Sequence, residues 1–288
     1  MATEIKFNAD GTINFGDYTL TFTDEGFEFD GAILATEYET VPPAAQGSIS
    51  GYTSGGLPIV NTIEKFSFAT DGNATDVGDL TAAKHGPAGQ SSSVSGYTSG
   101  GSPGPNSTTD VIEKFSFATD GNATDVGDLT VTRQETAGQS SDISGYSSGG
   151  KVPVPTTYNT IDKFPFASDG NASDVGDLTV ARNDISSQSS AESGYASGGF
   201  VPGVGRVNTV NKFPFASDGN ATDVGDLTQA RQSAAGQSST ESGYTSAGYS
   251  GPSYTTTIDK FPFSVDANAT DVGDLTEAKG FPAAGQQV

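Results

Sequence analysis

Apolar residues alternate with polar ones along most of this chain, with a period of two. In "TIEKFSFA", Thr62 to Ala69, Phe66 and Phe68 fall on one face of an extended strand. The first residues behave alike: Ile5/Phe7, Ile13/Phe15, Tyr18/Leu20/Phe22 and Phe27/Phe29 alternate between turn signals at Asp10-Gly11, Gly16-Asp17, Asp24-Glu25-Gly26 and Asp30-Gly31. No helical period is visible. The pattern predicts an all-β protein of short strands.

The strands recur. "GY" stands at Gly51, Gly96, Gly145, Gly194 and Gly243, and "KF" at Lys65, Lys114, Lys163, Lys212 and Lys260. The steps are 45, 49, 49 and 49 for the first and 49, 49, 49 and 48 for the second. Each unit reads as four strands: A, "AGQSS" (Ala137 to Ser141); B, "SGYTSGG" (Ser50 to Gly56); C, Thr62 to Ala69; and D, "ATDVGDLT" (Ala74 to Thr81), carrying Val77 and Leu80. Five four-stranded units at this period, without helices, predict a β-propeller over residues 46–288. Residues 1–45 form a separate β-meander, too small to bury a core alone, and are expected to anchor or oligomerise the chain.

The glycine doublet closing strand B, the basic-aromatic pair of strand C and the "GDLT.AR" run leading onward resemble kelch-type repeats. Gly55-Gly56, Gly100-Gly101, Gly149-Gly150 and Gly198-Gly199 match the doublet; the fifth unit has Ala247-Gly248. The tryptophan usual in such repeats is missing, since the chain has none, and phenylalanines are expected between the blades. The resemblance implies a five-bladed kelch-like propeller. Its first blade needs a strand A, either from Ala284 to Gln287 after residues 42–48 lead in as a linker, or from Ala44 to Ser48.

Composition narrows the function. The chain carries 38 Gly and 33% hydrophobic residues, but 17 Phe and 10 Tyr at regular intervals favour short strands over disorder. A net charge of −22 and a pI near 4.1 disfavour nucleic-acid partners. With no cysteine, disulfide and thiol chemistry are excluded. "MATEIKFNADG" has no secretory pattern, and no apolar run is long enough for a membrane-spanning helix.

The densest polar stretch is "KFSFATDGNATDVGDLT", Lys65 to Thr81, repeated at Lys114 to Thr130. Asp71, Asn73, Asp76 and Asp79, with their equivalents in every unit, are oxygen ligands of the type calcium takes, but their spacing is not that of an EF-hand loop. The favoured reading is a C–D turn, in which Asp-Gly and Asn satisfy local backbone groups and no cofactor is bound. The stretch faintly resembles the Asp-box turn of other propellers, with Asp71 and Thr75 matching. The N-x-S/T patterns from Asn73, Asn122, Asn171, Asn220 and Asn268 would take glycans only in a glycosylating host. Lys84, Arg133, Arg182, Arg231 and Lys279 form a repeated basic set, read either as an anion-binding ring or, preferentially, as partners of nearby Asp and carbonyl groups. Ten of the 13 basic residues belong to this set or to the "KF" lysines. Catalytic material is sparse: His85 is the single histidine, and acids repeated in five copies look structural.

The units differ in two segments, B–C and D–A, which a meander places on the same face. That face carries Lys151, Tyr158, Phe200, Arg206, Tyr249, Tyr254, Phe281 and His85, the expected binding residues. The stretch "IEKFSFATDGNATDVGDLT" also resembles bacteriophage virion proteins with kelch-like repeats. That resemblance implies a non-enzymatic virion protein, a fibre or surface adhesin at the particle surface. Residues 1–45 would bind other virion proteins or copies of the chain, and the propeller would meet a host-surface glycan or protein. The alternatives are a capsid decoration protein without a receptor and a glycan-processing enzyme. Neither nucleic acid nor membrane insertion is expected.

Overall fold

The computed structural model describes residues 50–153 and 156–280, together with the backbone of four strands within residues 12–35. Two compact units divide the chain, Met1–Ala44 and Ala45–Val288. In the first, β1 (Thr12–Phe15), β2 (Tyr18–Thr23), β3 (Gly26–Phe29) and β4 (Ala32–Ala35) form an antiparallel meander in sequence order.

The second unit is all-β, five blades in a propeller arrangement, with no helix among the described residues. Blade one holds β5 (Ser50–Ser54), β6 (Val60–Ser67) and β7 (Thr75–Lys84), which are strands B, C and D. Both segments expected to supply its strand A lie outside the described residues. Blade two runs β8 (Ala88–Ser91), β9 (Ser95–Ser99), β10 (Val111–Ser116) and β11 (Thr124–Asp128). Blade three runs β12 (Ala137–Ser140), β13 (Ser144–Ser148), β14 (Thr160–Pro165) and β15 (Ser173–Asp177). Blade four runs β16 (Ser186–Ser189), β17 (Ser193–Ser197), β20 (Thr209–Pro214) and β21 (Thr222–Asp226), and carries the hairpin β18 (Phe200–Val201) and β19 (Gly205–Arg206) in its B–C segment. Blade five runs β22 (Ala235–Ser238), β23 (Ser242–Ser246), β24 (Thr257–Pro262) and β25 (Thr270–Asp274). The A strands β8, β12, β16 and β22 pack on one another in order, so the A edges of the blades converge.

Strand C shows how one blade packs on two neighbours. Along β10, Glu113 and Phe115 face blade one, while Ile112 and Lys114 face blade three. A bulge in the pairing of β10 with β11, between Ile112 and Glu113, recurs at this position in every blade. The Asp125 carboxylate accepts the Gly127 N–H there at 3.1 Å, and the extra residue, Val126, turns into the apolar contact with blade three.

Each junction between blades one to five repeats one set of contacts. The tyrosine of strand B stacks on the second phenylalanine of the next strand C, as Tyr97 does on Phe166 at 4.8 Å between ring centres. The phenylalanines do fill the space between blades, and tyrosine shares it. The "KF" lysine reaches the turn aspartate of the next blade, Lys114 to Asp169 at 3.0 Å. The Asn171 side-chain oxygen accepts the Asp128 N–H at 3.1 Å. The polar stretch that sequence reading took for a local C–D turn therefore also ties that turn to the preceding blade.

The second basic set lies inside the junctions. Arg133 is 0% exposed and pairs with the equally buried Asp162 at 2.8 Å, also donating to the carbonyls of Ser147, Gly149 and Thr160 at 3.0 Å. Lys84 pairs with Glu113 and Arg231 with Asp259 in the same way. Lys84, Arg133 and Arg231 are thus partners of buried carboxylates, not an anion ring. The Arg182 position breaks the pattern: strand C of the next blade offers Asn211 in place of a carboxylate. The Arg182 Nε and Nη1 and the Asn211 Nδ2 all lack an acceptor, and burial pushes the guanidinium pKa down to about 10.

Supplying the missing carboxylate, which Arg133 and Arg231 each meet with Nη2, is expected to stabilise the protein. Asn211→Asp should add about 1.5–3 kcal/mol, the usual worth of a hydrogen bond to a charged group, seen as a raised Tm. The fifth doublet gives a second expectation. Ala247 holds φ +61 where Gly55, Gly100, Gly149 and Gly198 hold +64 to +67, a left-handed conformation that costs an alanine about 1 kcal/mol. Ala247→Gly should recover about that amount in denaturant unfolding despite the added chain entropy.

Candidate functional site

The B–C and D–A loops meet through backbone bridges. His85 pairs with Ser102, Gln134 with Lys151, Asn183 with Phe200, and Gln232 with Tyr249. Lys151, Phe200 and Tyr249 thus hold equivalent places in three successive blades, and His85, opposite Ser102, holds the D–A place equivalent to Gln134, Asn183 and Gln232.

The residue after each bridge is held in a left-handed conformation: Gly86 (φ +61), Glu135 (+57), Asp184 (+55) and Ser233 (+54). Only the first is a glycine, and the others each bear a cost of about 1–2 kcal/mol. They are strung together by backbone hydrogen bonds. The Glu135 N–H donates to Gly86 O at 2.7 Å, Asp184 to Glu135 O at 3.2 Å, and Ser233 to Asp184 O at 3.0 Å. This chain of turns presents Glu135 and Asp184 side by side, with one amide between them. Asn183 Nδ2 donates to Glu135 Oε2 at 2.8 Å and to Asp184 Oδ2 at 2.9 Å. Gln232 Nε2 adds a second side-chain contact to Asp184 at 3.2 Å, and Lys151 Nζ closes an ion pair with Glu135 at 2.7 Å.

A cavity of about 480 Å³ opens beside these groups, lined in part by Lys151, Asn183, Asp184, Phe200, Arg206 and Gln232. The hairpin β18–β19 forms one wall and places Arg206 over the ring of Tyr249, 4.3 Å from its centre; Tyr254 packs on Tyr249 at 5.3 Å. Arg206 makes no ion pair among the described residues, and its Nε has no acceptor there.

Of the eight residues singled out from sequence, Lys151, Phe200 and Arg206 line this cavity; Tyr249 lies under Arg206 and Tyr254 packs on Tyr249, and neither lines it. Tyr158 is half-buried, its N–H donating to Gly150 O at 2.9 Å, and it does not line the cavity. His85 lies at the first of the bridges, away from it. Phe281 lies outside the described residues. Sequence reading missed Glu135, Asn183, Asp184 and Gln232. The signal was the pair of positions after each conserved-pattern Arg, "RQE", "RND" and "RQS", where polar residues change within an otherwise constant frame.

Asp71, Asn73, Asp76 and Asp79 are not gathered into a site. Asp76 accepts the Gly78 N–H at 3.2 Å, and Asp79 donates its N–H to Asn122 at 3.1 Å. Among the described residues no three His, Cys, Asp or Glu side chains converge as metal ligands.

Desolvation, then the charge of Glu135, raise the Asp184 pKa to about 6 against the pull of Lys151 and Ser233. Between the ordinary carboxyl pKa of 3.8 and about 6, the folded protein holds a proton that the unfolded chain releases. Stability from this group is therefore lost as pH rises through that window, by roughly 2–3 kcal/mol, and is level above it. Asp184→Asn, which suits a left-handed turn, should flatten that part of a Tm profile taken from pH 4 to pH 8 and raise Tm at pH 7. No family model matches this chain, and no curated protein sequence matches it.

Proposed function

We propose that this chain is a non-enzymatic virion protein of a bacteriophage, a fibre or surface adhesin whose propeller presents the B–C/D–A face to a host-surface glycan. The observation that carries the binding half is the cavity lined by Phe200, by Arg206 held over the Tyr249 ring, by the amides of Asn183 and Gln232 and by the carboxylate of Asp184. Aromatic faces with a few fixed donors and acceptors are the chemistry of sugar recognition, and strained backbone is concentrated there. The virion half rests on the resemblance of "IEKFSFATDGNATDVGDLT" to kelch-like repeat proteins of phage particles, with residues 1–45 as the segment that attaches to the particle. No cofactor belongs to this reading.

One observation favours glycan hydrolysis as a second reading. Asp184, its pKa raised, and Glu135, paired with Lys151, share one amide at the mouth of the cavity, as a paired acid and carboxylate would.

A glycan array probed with the full chain separates these. Binding that falls at least about tenfold in Arg206→Ala, with the fold intact by circular dichroism, supports the adhesin. Equal binding by the variant removes the cavity from the proposal. Product sugars released by the wild type but not by Asp184→Asn would replace adhesion with hydrolysis. Failure to bind any glycan or host cell, with the protein spread over the whole capsid, would replace it with decoration.

A further inference from the structure

Arg206 is a cation that faces the cavity and that no protein group answers. In blades one to four every other lysine and arginine, except the buried Arg182, holds a carboxylate. Acids are not scarce, since the chain carries 35 of them against 13 basic residues. Yet none of the Arg206 nitrogens donates to a described residue. Its Nε is buried, so the terminal nitrogens are the donors left to the cavity. Asp184 lines the same cavity without forming an ion pair with Arg206. Its carboxylate is held instead by the amides of Asn183 and Gln232.

The repeat does not call for a cation at this place. Phe200 pairs with Arg206 as Lys151 pairs with Thr157 and Tyr249 with Tyr254, so the arginine stands where the two flanking blades carry a neutral hydroxyl. The guanidinium is also held before any ligand arrives. It lies 4.3 Å from the centre of the Tyr249 ring, which Tyr254 packs against in turn at 5.3 Å. A long side chain stacked in this way has less rotamer freedom to lose on binding.

A planar guanidinium with free terminal N–H groups matches a carboxylate, whose two oxygens can accept side by side. We propose that the sugar bound in this cavity is an acidic one, its carboxylate taken by the terminal nitrogens of Arg206 and its hydroxyls by Asp184, Asn183 and Gln232. This rests on the reading of the cavity as a glycan site and narrows it to one class of glycan. The net charge of −22 opposes an anionic ligand at a distance, but that repulsion is screened beyond about 8 Å at physiological salt, whereas a contact pair on Arg206 is screened far less. Lys151 adds no free charge, because Glu135 already holds it at 2.7 Å.

The test uses the full chain on an array of neutral, carboxylated and sulfated glycans. The strongest carboxylated glycan is then compared with its carboxyl-reduced form, in which each carboxylate has become a primary alcohol and every hydroxyl is kept. Binding is expected to be confined to carboxylated glycans and to fall about tenfold or more on reduction, the worth of a charge-assisted hydrogen bond. Arg206→Gln, which keeps a donor and drops the charge, should lose as much for the native glycan and little more for the reduced one. The comparison of the two glycans on the wild type needs no variant to fold. Binding confined to neutral or sulfated glycans, or carboxylated binding that survives reduction, overturns the acidic-sugar inference and leaves the glycan site standing. Binding lost on reduction but unchanged in Arg206→Gln overturns the assignment of the carboxylate to Arg206. Failure to bind any glycan removes the glycan reading itself, and this inference with it.

Discussion

Each of blades two, three and four packs a neighbour against both of its faces. Strand C sends Glu113 and Phe115 toward one neighbour and Ile112 and Lys114 toward the other, and all but the lysine are buried. The junction, more than the blade, is thus the unit on which the structure depends. Its centre is a buried cation, Arg133, held by one carboxylate and three carbonyls. Such a pair adds less net stability than its contacts suggest, because both charges leave water, but removing either partner strands the other. It therefore fixes the angle and register at which blades meet. The tyrosine–phenylalanine stacks around it supply the apolar burial that the low hydrophobic content would seem to withhold.

The consequences run outward from that centre. Because the cation sits at the start of the D–A segment and donates to the B–C side, it pins both loops to one end of the blade stack. Gly101, Gly150 and Gly199 each donate their N–H to the carbonyl of a junction arginine, at 2.8 Å. The loops beyond are then free to vary in sequence while their bases stay fixed. The left-handed turns at Glu135, Asp184 and Ser233 are tolerated because that base is rigid. The cavity beside Arg206 is built on the same support.

The sequence made the fold legible to a large degree. The period of 49, the alternation of Phe66 with Phe68 and the glycine doublets lead to four-stranded blades without any tertiary information. The site was legible only in part. Variation between repeats pointed to Lys151, Phe200 and Arg206. It passed over Asp184 and Asn183, because a polar residue in a loop carries no sign of what will stand beside it.

What the sequence determined by itself is what depends on local periodicity: strands, turns, repeat number and the face on which the loops differ. What only the tertiary structure decided is which residues of different repeats meet. Arg133 and Asp162 lie 29 residues apart, and Lys114 and Asp169 lie 55 apart. Nothing local marks either as a pair. The sequence held the matching of lysine with glutamate and arginine with aspartate, broken at Arg182 and Asn211. It became readable only once the packing of blade on blade showed which positions face each other.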